Sequence, residues 1–460
     1  MTQTIEGTSA APPRLSPRLL SGLGWSTAGR FAALPAGAAA TVLIARTLQP
    51  SAVGTYFVIV NLVSILAIIG MLGLNQAVVR SVSEAMTRRR PATAGAVVRT
   101  SLRLTAVASL TLGLLFLLAG NAVGRHVFGS ATIAAETGWI ALFIPLMAFR
   151  LLVPEAFRGF NDIKWATILG DAATNVTLAL ALAIIVAGGW KTNLTEVLVI
   201  SVGLSAVLVV LSLQRLRTKV KPLGIDPAGA RALLWIALPL LATGISWNVM
   251  VQIDTVVLGV FRSGGDVAYY VAGSRLAALL LVPLMIGVSF IAPLITELWA
   301  DRRLLDLERL LKATSALTGI ASGVGLLALA VFGPWALSLL FGDYYRRGGT
   351  ILLVLAVGGL INSMGGYSGL ALMMAGEQLA AMLITVFVAV VTIGGSAVAA
   401  ATSGALGVAI VMTCGITLLN VLTVVVLRAR LGIWAYPDFA LRGVRESVGR
   451  LLASARSRTR

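Results

Sequence analysis

The chain has one cysteine, one histidine and few charges: of its 460 residues only 12% are Asp, Glu, Lys or Arg, about half the share of a soluble domain. Cys414 has no partner for an intrachain disulfide. His126, the sole histidine, falls in an expected loop and cannot by itself form a metal cluster. There is no Gly-rich phosphate loop closing on Lys-Ser/Thr, so the sequence gives the chain no means of hydrolysing ATP. What fills the sequence is apolar. Hydrophobic residues make up 58%, the mean hydropathy is +0.94, and the length leaves room for about a dozen spanning helices of about 20 residues each.

The apolar runs predict an all-α integral membrane protein, with spans at roughly 20–48, 53–79, 94–120, 133–155, 164–189, 195–214, 231–259, 266–292, 310–333, 348–372, 377–400 and 404–427. A net charge of +18 could suggest nucleic acid. Its placement argues instead for one face of a membrane. Connections on one side hold Arg80, Arg88, Arg89, Arg90, Arg158, Lys164, the run Arg215 to Arg231, Arg302, Arg303, Arg309 and Lys312. Those on the other side hold Arg46, Arg125, Lys191, Arg262, Arg346 and Arg347. The expectation is therefore a multi-pass protein of the bacterial cytoplasmic membrane, with both termini cytoplasmic and no nucleic-acid partner.

Laid over itself at an offset of 213 (302 − 89 = 213), the second half falls on the first. Arg89, Arg90 and Arg99 land on Arg302, Arg303 and Lys312, Tyr56 lands on Tyr269, and Phe128-Gly129 lands on Phe341-Gly342. That is the signature of a duplicated membrane unit. Six helices per copy is an even number, so the copies enter from the same side as parallel repeats. The expected division is residues 1–17 as a disordered N-terminus, 18–214 as the first bundle, 215–230 as a basic linker, 231–430 as the second bundle and 431–460 as a basic tail. In that tail Leu441, Val444, Val448, Leu451 and Leu452 alternate at helical spacing with Arg442, Arg445 and Arg450, which predicts a helix on anionic lipid beside a Trp434 and Tyr436 headgroup belt. Arg14 and Arg18 before an apolar run mimic a secretory signal, but the run continues to Ile44, too far for a signal core.

The informative residues are charges inside apolar spans, each costing roughly 2.5–3.5 kcal/mol near mid-membrane and usually facing a cavity or a partner. Arg30 and Arg275 both fall about 14–15 Å deep. Neither is kept by the repeat, since the offset pairs Arg30 with Thr243 and Arg275 with Leu62. Two guanidinium forks at that depth suit the paired oxygens of a pyrophosphate headgroup. The competing reading is that Asp254 and Asp171 merely neutralise them. Those carboxylates are also candidates for proton or sodium coupling, the only cofactor-like requirement the sequence raises. Arg150 and Glu155 are explained by snorkelling near a helix end, and Asn61, Asn248 and Gln252 either line a cavity or bond between helices. Glu136 and Glu297, at span ends, are expected to be solvated, and Glu377 to cap the eleventh span.

Several stretches carry a family resemblance. They are Ala45-Arg46-Thr47-Leu48, Pro50, Val53-Gly54-Thr55-Tyr56, Gly73-Leu74 and Arg80, and in the second half Asp254, Leu258-Gly259, Val267 to Ala272 and Arg275-Leu276. Over about residues 18 to 430 the chain resembles the polysaccharide-transport branch of the multidrug/oligosaccharidyl-lipid/polysaccharide exporter superfamily, the Wzx-type flippases. The resemblance implies a V-shaped pair of six-helix bundles around a cationic cavity, moving undecaprenyl-pyrophosphate-linked oligosaccharide across the membrane by alternating access for surface polysaccharide synthesis. It implies cavity roles for Arg30 and Arg275. The alternatives are a cation-coupled drug or metabolite antiporter of the sister branch, and a lipid II flippase, whose helices beyond the twelfth have no counterpart here. A glycosyltransferase or polymerase is disfavoured, because the longest outward connection, around Asp343 to Arg347, is expected to be only about fourteen residues. A monomer is expected, with anionic lipids and, as candidate protein partners, a polysaccharide polymerase and chain-length proteins.

Overall fold

The computed structural model describes residues 35–220 and 227–437. The expected N-terminal segment and most of the expected amphipathic tail lie outside them. In the first half, α1 covers 35–47 and is followed by α2 (Pro50–Gly70), α3 (Leu74–Thr87), α4 (Pro91–Ala122), α5 (Ala131–Ala135), α6 (Thr137–Gly159), α7 (Ile163–Ile168), α8 (Asp171–Ala187) and α9 (Leu194–Arg217). The second half holds α10 (Pro227–Phe261), α11 (Gly264–Ala277), α12 (Val282–Ala300), α13 (Leu304–Phe341), α14 (Gly349–Gly365), α15 (Tyr367–Met374) and α16 (Gln378–Leu431). Each expected span falls on helix as far as the described residues reach, the first of them only from residue 35. Nine helical segments among the described residues are long and apolar enough to cross a membrane, and the protein is multi-pass and all-α.

Local chemistry sets the breaks. Pro50 and Pro91 open α2 and α4 at positions where a missing N–H costs nothing. Asn193 and Glu196 form a reciprocal capping box at the start of α9. The expected second span is two helices, because Leu72 and Gly73 both adopt positive φ between α2 and α3. Gly73 also sits against α10, where a Cβ would fall 2.3 Å from the Ala237 carbonyl oxygen. The eleventh and twelfth expected spans are both present, as two helices that meet at Gly404, whose backbone (φ 64°, ψ −147°) is not helical; α16 denotes the pair.

Other ends differ from expectation. The linker is shorter than 215–230, as α9 runs to Arg217 and α10 starts at Pro227. The connection around Asp343 is also shorter, because α13 continues to Phe341 and residues Asp343–Gly348 form a 3-10 turn. Glu377 takes the cap position of α16 without a side-chain capping bond. Glu136 is not solvated: it is 5% exposed and accepts a hydrogen bond from the Thr195 hydroxyl, which reaches it from the start of α9.

The offset of 213 is written into the backbone. Helices α3 and α12 end at Thr87 and Ala300, and α4 and α13 begin at Pro91 and Leu304, each pair 213 apart. Arg89 and Arg302 both take left-handed φ, 55° and 58°. Behind them Arg90 N–H donates to Ala85 O (2.8 Å) and Arg303 N–H to Leu298 O (2.9 Å). Leu114 and Leu118 of α4 and their counterparts Leu327 and Val331 of α13 all face outward, as the lipid-facing side of a membrane helix should.

Alternation of the helices gives the bundle two ends. The basic end carries Arg88 to Arg90, Arg215, Arg217, Arg302 and Arg303; the far end carries Arg46, Arg125, Arg262 and Arg347. At the far end the halves meet through α2 and α11. A Cβ on Gly54 would fall 1.8 Å from Gly264 O, and one on Gly264 would fall 2.2 Å from Ser51 O. Only glycine permits that approach. Beside it Arg46, at the end of α1, donates from Nε to Leu340 O at 2.8 Å and from its terminal nitrogen to Leu339 O. It thus satisfies open carbonyls at the end of α13 in the other half.

Candidate functional site

A cavity of about 280 Å³ lies between the halves. Helices α1, α2, α6, α8 and α9 of the first half enclose it, and α11 with the following turn closes it from the second. Two arginines line it. Arg275 sits eleven residues into α11, about 16 Å along the axis, and is open to solvent-sized space inside the bundle. Its guanidinium lies 5.8 Å from the centre of the Phe57 ring, a cation–π distance. Arg150, half-buried on α6, donates to the Met147 sulfur at 2.8 Å. The two come from different halves, so the wall they share exists only when the halves are together.

The remaining polar lining is hydroxyl and amide. Tyr56, 3% exposed, shares a 2.9 Å hydrogen bond with Ser201 and lies within electrostatic reach of Arg150. Thr41, Thr174, Asn175 and Ser205 complete it. Such a site is apolar over most of its wall and cationic at two points, which suits a ligand with anionic oxygens at one end and hydroxyls at the other.

Asp254, a sequence candidate for charge pairing, is 8% exposed on α10. One carboxylate oxygen accepts from Tyr270 (2.7 Å) and the other from the Thr255 backbone (2.6 Å) and hydroxyl (3.2 Å). It is within electrostatic reach of Arg275, but no ion pair joins them among the described residues. Arg30 lies outside the described residues, as does the Asp171 side chain, although Asp171 opens α8. Glu155 bonds to Arg158 on its own helix. Asn61, Asn248 and Gln252 are half-buried and do not line the cavity.

Sequence reasoning missed Tyr56, Ser201, Thr174 and Asn175 as lining residues and ranked Arg150 below Arg275. A signal existed for two of them. Thr174 and Asn175 follow Asp171 by three and four residues, which places them on the same helix face.

A family model described as "Polysaccharide biosynthesis protein" matches residues 19–299, well over half the chain. None of the curated proteins matches it in sequence. Among solved structures it is similar to an inward-facing multidrug resistance MATE family transporter of the MOP superfamily, with a TM-score of 0.71 and 17% identity over 87% of this chain and 94% of that one. It is also similar to the lipid II flippase MurJ in an inward closed conformation (TM-score 0.68, 12% identity, 87% of each chain). A third is a MOP superfamily transporter from Pyrococcus furiosus, described as having a binding pocket of reversed polarity (TM-score 0.59, 17% identity, 91% of this chain and 95% of that one). At these identities the structures establish the fold. The family match, over more than half of the chain, shows that the chain belongs to the polysaccharide biosynthesis protein family.

Proposed function

We propose that the chain flips an undecaprenyl-pyrophosphate-linked oligosaccharide across the cytoplasmic membrane by alternating access, for surface polysaccharide synthesis, with both termini on the cytoplasmic side. One observation carries this reading: Arg275 and Arg150, from opposite halves, line a single cavity within the bundle. Acyl chains can remain in lipid while a charged headgroup crosses, so the protein has only to lower the cost of moving that headgroup through an apolar layer. Permanently charged guanidinium forks supply that by pairing with phosphate oxygens. Because the two arginines sit on separate bodies, rocking those bodies apart weakens the joint grip and releases the headgroup. No covalent step is required.

The test is flipping of a fluorescent lipid-linked oligosaccharide in proteoliposomes. Losing one charge-assisted contact of about 1.5–3 kcal/mol corresponds to a loss of about ten- to hundredfold in affinity. Arg275→Gln should therefore reduce flipping at least about tenfold at sub-saturating substrate, and Arg275→Lys should restore part of it. Arg150→Gln should lower flipping in the same assay. Undiminished flipping by both glutamine variants, correctly folded, overturns the assignment.

A further inference from the structure

A second polar cavity, of about 570 Å³, lies at the far end, wholly inside the second half. It is built where three structural irregularities converge: the end of α10, the 3-10 turn after α13 and the Gly404 kink of α16. The kink leaves the Ala400 and Ala401 carbonyls without onward helix, and Arg262 caps them at 2.8 and 2.9 Å. Arg262 thereby forms the floor. Above it stand Asp266, Tyr269, Tyr344 and Arg347.

These side chains are arranged as recognition surfaces for a ring that has both an apolar face and hydroxyls. The Tyr269 and Tyr344 rings lie 6.4 Å apart, tilted by 47°, packed against each other as one aromatic wall of the cavity. The Tyr344 hydroxyl rests over Gly265, where a Cβ would come within 2.5 Å of it, so the glycine fixes where that ring stands. Asp266 accepts from Tyr269 at one oxygen (2.7 Å) and from Ser263 at the other (3.1 Å). A carboxylate has about four acceptor positions, so it retains capacity for ligand hydroxyls. Arg347 is exposed and lies 5.6 Å from the Tyr344 ring centre, its fork free of any ion pair among the described residues. Two arginines against one aspartate leave the cavity cationic.

We propose that this cavity is a saccharide site that takes an acidic sugar unit, such as a uronic acid: tyrosine faces against the ring, Asp266 toward its hydroxyls and Arg347 toward its carboxylate. Its volume falls within the range of small-molecule pockets, about 300–1,000 Å³. It is separate from the central cavity and belongs to one half only, so it persists whichever way the halves rock. On a protein whose cargo carries sugars, a site at the far end would hold the glycan after the headgroup leaves the middle.

The test is equilibrium binding of a free glucuronic-acid-containing disaccharide to the full-length chain in nanodiscs, by calorimetry. Maltose and inorganic phosphate are the comparison ligands. The acidic disaccharide should bind at least about tenfold more tightly than either, the equivalent of one charge-assisted contact. Arg347→Gln should remove that preference, Tyr344→Ala should abolish binding, and Tyr344→Phe, which keeps the ring, should retain it. The proposal is overturned if the acidic disaccharide does not bind, if maltose or phosphate binds equally well, or if binding is indifferent to Arg347→Gln and Tyr344→Ala. Phosphate binding alone would mark a lipid-headgroup contact instead. Because the readout is binding of a free sugar and not translocation, its failure leaves the central-cavity reading standing, and loss of flipping in Arg275 variants leaves this one standing.

Discussion

Tyr56 and Tyr269 occupy the same position in the two repeats and have been put to different uses. Tyr56 pairs with Ser201 on the wall of the central cavity. Tyr269 turns to Asp266 in the far-end pocket, and the counterpart of Ser201 is Cys414, which is exposed. Positions that touch the central cavity diverge in the same way: Arg275 answers to Leu62, Arg150 to Ser363 and Asp254 to Thr41. Positions that set helix ends and packing are retained. Buried hydroxyls Ser101, Thr105 and Ser109 run along α4, and Thr314, Thr318 and Ser322 run along α13 at the same offset. Duplication supplied two copies of a scaffold, and divergence supplied each half with one cavity arginine, at positions the repeat does not pair.

The strongest way to break this comparison is at the one place where the copies touch most closely. Gly54 corresponds to Val267, so the close approach of α2 to α11 depends on a glycine that only the first copy has. Gly54→Val should force the backbones apart, with a penalty of about 3 kcal/mol, read as a lower thermal transition in detergent and as increased accessibility of cysteines placed at the far end. If stability and accessibility are unchanged, the halves do not meet there.

Next in size is the hydroxyl stripe, where the copies look alike but bond differently. Thr318 donates to the Ser363 carbonyl at 2.8 Å, joining α13 to α14. The Thr105 hydroxyl is buried and finds no partner among the described residues. Thr318→Val should cost about 1 kcal/mol, whereas Thr105→Val should be neutral or slightly stabilising, because it removes a buried polar atom without leaving another unpaired. Equal unfolding shifts for the two variants would show that the stripe has one role in both copies.

Much of the architecture was legible because it rests on features local to the sequence: apolar runs, turn residues and a constant offset. The site was less legible. Depth along a helix follows from counting residues, but the direction a side chain points depends on how the helix is rotated against its neighbours. Asn61 follows Tyr56, Phe57 and Val60 on α2, yet those three face the cavity and Asn61 does not. Arg150 lies near a helix end, where sequence alone suggests snorkelling, but α6, with Pro145 and Pro154 inside it, turns that side chain inward. Glu136 looks solvated in sequence because nothing nearby reveals that Thr195, fifty-nine residues later, covers it.

The smallest expected effect tests the most faithful part of the repeat. Arg89 and Arg302 hold left-handed backbone conformations at identical corners, which costs a residue with a side chain about 1–2 kcal/mol. Glycine would remove that strain but adds about 0.5–1 kcal/mol of chain entropy in the unfolded state. Arg89→Gly and Arg302→Gly should each therefore stabilise the protein by about 0.5 kcal/mol, and by the same amount, measured as a shift in thermal unfolding. Both side chains lie at the basic end among other cations, so loss of either also relieves like-charge repulsion, and raising the salt concentration should shrink that part of the gain equally at both corners. A gain at one corner only would mean that the two copies, identical in backbone here, are held in place by different neighbours.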